Sequence, residues 1–149
     1  MTLVGLRAAR PLDAGSVGEI MAACNARHEW LPQLYSGAEM IGFAGDMIDA
    51  GWVRVAQYEG AVLGFIARNA GEVHGLYLRP QAQGRGIARA LMHEAQRDTG
   101  ALGLWSFVAN ERATRFYRKA GFVEVTRTDG AANDVGLPDI RYEWQRESA

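Results

Sequence analysis

Three groups of residues in this chain have types and spacings suited to chemistry. The first is Gln81-x-x-Gly84-x-Gly86, which runs directly into an amphipathic stretch. A helix N-terminus exposes unpaired N–H groups and the positive end of the macrodipole, so a glycine-rich approach to one is suited to an anionic phosphate. Arg85 and Arg89 add charge beside it, and several converging N–H groups suit a pyrophosphate better than a single phosphate. The same spacing also serves as a plain strand-to-helix turn. The second group is Glu72 and His74, a carboxylate and an imidazole two residues apart, both able to take a proton. The third is Tyr117, a phenol that is protonated at neutral pH and can donate one.

These residues need elements to hold them. "LVGLRAA" (Leu3–Ala9) reads as a strand, and Pro11 and Asp13 suit the start of a helix with Val17, Ile20, Met21 and Cys24 on one face. A second helix is expected over Ala38–Ile48. "WVRVAQYEGAVLGFIAR" reads as two strands around a tight turn at Glu59-Gly60, the second apolar enough to be buried on both faces. "EVHGLYL" (Glu72–Leu78) is a strand ended by Pro80. Strict alternation along it puts Glu72, His74, Leu76 and Leu78 on one face and Val73, Gly75 and Tyr77 on the other. A helix over Gly86–Thr99, a strand over Leu102–Val108 and a helix capped by Asn110 and stopped by Gly121 follow. Two closing strands, near Phe122–Thr128 and Ile140–Gln145, flank a polar turn. The order is β-α-α-β-β-β-α-β-α-β-β, an α+β arrangement with a mostly antiparallel, mixed sheet and helices on its faces.

Composition narrows the function. The chain has 149 residues, 48% hydrophobic and 22% charged, the size and balance of a single domain spanning 1–149. Sixteen basic residues against seventeen acidic ones, a formal charge of -1, give no general reason to expect nucleic-acid binding. The single cysteine, Cys24, allows no internal disulfide and is expected to pack within its helix; no Cys/His spacing suggests a metal. No apolar run approaches the roughly 20 residues of a bilayer span, and no signal segment is evident, so the expectation is a cytoplasmic protein with no membrane partner. A homodimer is left open. The dinucleotide pattern G-x-G-x-x-G is broken by Arg89 in place of its third glycine, and the Gly-Lys-Ser/Thr of a phosphate loop is absent.

The run "HGLYLRPQAQGRGIARALM" resembles the acetyl-CoA-binding motif of the GNAT N-acetyltransferase superfamily. "NERATRFYRKAGF" is similar to that family's second motif at Asn110, Ala113, Phe116, Tyr117, Gly121 and Phe122. The resemblance implies a GNAT fold with a parallel, splayed strand pair, acetyl-CoA (coenzyme A) as cofactor and a small-molecule or protein amine as acceptor. It implies that backbone groups of Leu76, Tyr77 and Leu78 bind the pantetheine arm. It further implies that Gln83, Gly84, Arg85, Gly86, Ile87 and Ala88 hold the pyrophosphate, that Asn110 reaches the pantetheine, and that Tyr117 lies near the sulfur as the acid. Glu72 or His74 is the candidate base; an imidazole is the better match at neutral pH. His28 and His93 are expected at the surface. Trp30, Tyr35 and Trp105 are candidates for the acceptor wall. A GNAT-like module that binds acetyl-CoA without transferring the acetyl group is the competing class.

Overall fold

The computed structural model describes residues 4–147. Alternating and continuous apolar runs form seven strands: β1 (Gly5–Ala8), β2 (Val53–Tyr58), β3 (Ala61–Asn69), β4 (Glu72–Leu78), β5 (Ala101–Phe107), β6 (Val123–Thr128) and β7 (Asp139–Gln145). Four stretches of helical periodicity form α1 (Ala14–Ala26), α2 (Gly37–Asp49), α3 (Ile87–Asp98) and α4 (Glu111–Lys119). The element order is the expected one. Leu3, counted into β1 from sequence, lies outside the described residues.

Local signals explain the boundaries. The Ser36 hydroxyl accepts from Glu39 N at 3.1 Å while the Glu39 carboxylate accepts from Ser36 N at 3.0 Å, a reciprocal cap on α2. The Asn110 side chain accepts from Ala113 N at 3.2 Å and starts α4. Pro11 and Asp13 do not open α1 itself. They form a short 3-10 turn, Pro11–Asp13, that precedes it.

One sheet carries all seven strands in the order β1-β2-β3-β4-β5-β7-β6. Every pairing is antiparallel except β4 with β5, which is parallel. That parallel pair has a single register match, Glu72 with Gly103. Beyond it the two strands part, and the opening between them is the splay that positions the site.

Apolar side chains fill both sheet faces. On one, Val17, Ile20, Met40, Ala44 and Ile48 of α1 and α2 pack on Val53, Val55, Phe65 and Ala67. On the other, Ile87, Leu91, Met92 and Ala95 of α3 pack on Ile66, Val73, Leu102, Leu104 and Tyr142, with Phe116 and Tyr117 of α4 alongside. β3 contributes to both clusters and is buried from Val62 to Ala67, as its unbroken apolar run predicts.

Asp13 anchors the N-terminal arm. Its buried carboxylate accepts from both Arg7 guanidinium nitrogens at 2.8 and 3.0 Å and from Arg10 N at 2.7 Å. The Arg7 hydrogen bonds outweigh the opposing effect of burial and hold Asp13 below the ordinary carboxylate range. Asp13→Ala is therefore expected to cost about 1.5–3 kcal/mol, the range for hydrogen bonds to a charged group. A depressed carboxylate gives stability that is complete above its unfolded value, near pH 4, and lost as pH falls through the folded one. The cost should thus shrink at acid pH. Denaturant midpoints at pH 7 and pH 3 check this; equal losses at both would place the effect elsewhere.

Candidate active site

The site is a cleft whose floor is the β4–β5 splay. Its walls come from the glycine loop and α3, from α4, and from the end of α1 with the loop that follows it.

The glycine loop forms one end. Gly84 and Gly86 both have left-handed backbones, at φ +80° and +76°, and a Cβ at either would meet open space. The two glycines are thus required by backbone conformation, and no packed neighbour accounts for them. Gly86 caps α3 from this conformation. The N–H groups of residues 84 to 89 have no hydrogen-bond partner among the described residues. Six consecutive free donors at a helix N-terminus, beside Arg85 and Arg89, suit a pyrophosphate. Arg112 of α4 donates to the Gln83 side chain at 2.7 Å and ties the loop to the opposite wall. Sequence reasoning did not pick out Arg112, because the contact joins segments 29 residues apart and has no periodic signature.

Tyr117 lines the cleft on α4, half-buried, its ring against Phe116, Phe122 and Tyr142. Burial, with a smaller contribution from the Tyr77 phenol, raises its pKa well above the ordinary phenol value. It therefore stays protonated throughout the physiological range. Asn110 lines the same cleft, near the end of the splayed β5.

β4 does not alternate strictly. Ala67 pairs with Gly75 and Arg68 with Val73, which leaves His74 as an extra residue in a bulge. Consequently Val73, Leu76 and Leu78 all pack on the α3 side, while Tyr77 packs on the α1–α2 side. The expected grouping of His74 with Leu76 and Leu78 is corrected by this bulge. His74 instead stacks on Trp52 across β3, with ring centroids 4.8 Å apart and planes 12° from parallel. It is exposed and lines the cleft.

Glu72 takes a different position from His74. Its carboxylate accepts from Arg141 of β7 at 2.8 Å, and it does not line the cleft. The Arg141 side chain crosses β5 over Gly103, where a Cβ would collide with the guanidinium. Glu72 is thus a clasp between β4 and β7 beneath the opening of the splay. The residues brought together in the cleft are His74, Leu76, Tyr77, Leu78, Gln83, Gly84, Gly86, Ile87, Ala88, Asn110 and Tyr117; Glu72 and Arg85 are not among its walls.

The segment after α1 closes the cleft from above. His28 stacks on Trp30 at 4.7 Å, and Trp30 meets the edge of Phe107 at the end of β5 at 5.8 Å. Both histidines expected at the surface line the cleft: His93 is exposed, as expected, whereas His28 is half-buried. Burial, aided by the Arg27 cation, holds His28 below the ordinary imidazole range, so it is neutral at pH 7. Cys24 donates its thiol to the Leu78 carbonyl at 3.1 Å and is pushed up by burial, which makes it a poor nucleophile. Trp30 and Trp105 belong to the walls, whereas Tyr35 packs on Phe43 away from them. No group of three or more metal-ligating side chains is present, and no helix is long and apolar enough to cross a membrane, among the described residues.

The cleft thus lies at a parallel splay, with a glycine loop of free N–H groups on one wall and a half-buried phenol on the other. The chain belongs to the GNAT acetyltransferase family: the model described as "Acetyltransferase (GNAT) domain" matches residues 49–124. The matched stretch contains both motifs and the whole splay up to the start of β6. An uncharacterized N-acetyltransferase of Mycobacterium tuberculosis is 39% identical over 87 residues, covering 51% of this chain and 56% of the relative. Mycothiol acetyltransferase of Propionibacterium freudenreichii is 33% identical over 94 residues, covering 60% of this chain and 28% of that protein. The alignments thus span about half or less of these curated relatives. Among solved structures, apo YjaB from Escherichia coli superposes with a TM-score of 0.79 at 22% identity over 95% of this chain and 97% of that one. YncA from Salmonella typhimurium, a structure with its cofactor acetyl-CoA, superposes with a TM-score of 0.76 at 19% identity, covering 99% and 97%. At these identities the likeness is one of fold.

Proposed function

We propose that the protein is an acetyl-CoA-dependent N-acetyltransferase that passes the acetyl group to a primary amine by direct attack in a ternary complex. The observation that carries this reading is the meeting, in one cleft, of the six free N–H groups at the start of α3 with the hydroxyl-bearing ring of Tyr117. Acetyl-CoA, when bound, supplies an activated thioester. Residues 83 to 88 hold its pyrophosphate, the β4 edge from Leu76 to Leu78 guides its pantetheine arm, and Asn110 meets that arm from the other side. The Leu78 carbonyl is already engaged by Cys24, which leaves Leu76 and Tyr77 as the freer backbone contacts.

His74 takes a proton from the incoming amine as its nitrogen bonds to the carbonyl carbon. Tyr117 donates its proton to the sulfur as the carbon–sulfur bond breaks. Holding a lysine-like amine of pKa about 10.4 neutral at pH 7 costs about 4.6 kcal/mol, at ~1.36 kcal/mol per unit, so the base and a poorly solvated cleft must supply much of that between them. His74 is the base in this reading because it lines the cleft, whereas Glu72 is held by Arg141.

Release of free thiol from acetyl-CoA across a panel of amines tests the reading. A protein that binds acetyl-CoA and releases no thiol with any amine is a binding module instead. Within an active enzyme, His74→Gln should lower kcat/KM by about a hundredfold, at the low end for a positioned proton acceptor. Glu72→Gln should act mainly on stability, by loosening the β4–β7 clasp. The reverse ranking in kcat/KM would return the role of base to Glu72.

A further inference from the structure

The front of the splay has two lips. β4 and β5 pair only at Glu72 and Gly103, and the next cleft-lining side chains along them are His74 and Trp105. Leu102 and Leu104 point into the α3-side core, so Trp105 stands on the opposite face. His74 is on that face as well, since the Trp52 ring it stacks on packs against the α1–α2 cluster. The Trp52–His74 stack thus faces Trp105 across the opening.

Trp105 is a large aromatic left 47% exposed. Its ring is covered on one side by the Arg141 guanidinium at 5.7 Å. That guanidinium is itself shared by the Glu72 and Glu143 carboxylates, at 2.8 and 3.4 Å. One side of the ring is thus closed by an ion-paired group, and the exposed remainder is left for a flat apolar ligand. Arg27, Arg89, Arg112 and Lys119 line other parts of the cleft, and among the described residues no carboxylate lines it.

We infer that Trp105 and the His74–Trp52 stack form an acceptor gate, and that the acceptor is a primary amine on a short chain from a flat aromatic group. The inference rests on the transfer reading above and names its substrate class. The aromatic group slides between the lips, and the amine at its end reaches His74.

Phenethylamine, spermidine and an N-terminally blocked lysine peptide, each assayed with acetyl-CoA, test it. Phenethylamine should have the highest kcat/KM. Trp105→Ala should raise its KM about tenfold with little change in kcat, the scale of one lost aromatic contact, and Trp105→Phe should restore most of that loss. Trp105 is half-exposed, so both variants should fold, and their melting curves confirm it. Preference for spermidine or the lysine peptide, or an unchanged phenethylamine KM in Trp105→Ala, would overturn the gate while leaving acetyl transfer standing. Acetyl-CoA binding with no transfer to any of the three would overturn the gate, and no transfer to any amine of the wider panel would overturn the transfer reading as well.

Discussion

Gly86→Glu is expected to abolish acetyl-CoA binding and to leave the chain folded. Gly86 sits at φ +76°, the conformation that lets the loop turn its N–H groups inward at the start of α3. An L-residue there costs about 1–2 kcal/mol, within the 5–15 kcal/mol by which a domain is normally stable. The effect on binding is far larger. A carboxylate about 4 Å from one phosphate charge near a protein surface costs about 4 kcal/mol, roughly a thousandfold in Kd, and a pyrophosphate presents more than one charge. Gly84 shares the left-handed conformation at φ +80°, so choosing between the two glycines does not avoid strain. Gly51→Glu supplies the control: that glycine has φ +78°, open space around its Cβ position and no place in the cleft. Calorimetry should find Gly51→Glu binding acetyl-CoA normally and Gly86→Glu not at all, with similar losses in melting temperature. Unchanged affinity in Gly86→Glu would move the pyrophosphate elsewhere.

The parts of the fold that were legible in the sequence were those with local causes. Helices α3 and α4 follow from apolar periodicity, and their starts from Gly86 and Asn110. The buried β3 follows from its unbroken apolar run. The lining of the candidate cleft was legible where a motif is contiguous, as in Gln83, Gly84 and Gly86 to Ala88, or where a helix sets the spacing, as in Asn110 to Tyr117. What was hidden is long-range. The bulge at His74 arises from a mismatch between two paired strands, and no pattern within β4 reveals it. Arg141, which removes Glu72 from the cleft, is 69 residues away in sequence and reaches it only because Gly103 clears the path. The histidine at position 28 reads as a polar loop residue until Trp30 and Phe107 are seen to draw its segment over the splay.

Tyr117→Phe should slow the chemical step by about 10²–10⁴, the usual contribution of a positioned acid, with little change in fold or in acetyl-CoA affinity. The ring keeps its contacts with Phe116, Phe122 and Tyr142, because these involve its faces and edges and not the hydroxyl. The proposed pyrophosphate grip lies at the start of α3, in another part of the cleft. Burial raises the Tyr117 pKa, so the hydroxyl holds its proton in the resting enzyme and loses it only to a strongly basic group. A thiolate, whose thiol titrates near 8.5 in water, takes that proton only as it forms in the cleft, where the burial that raises Tyr117 raises it as well. An acetyl donor whose thiol has a lower pKa needs less protonation on departure, so the loss caused by Tyr117→Phe should shrink with that donor. A purely structural role for the ring predicts the same loss with both donors. Full turnover in Tyr117→Phe with acetyl-CoA would show that water protonates the sulfur and that Tyr117 serves only as a wall.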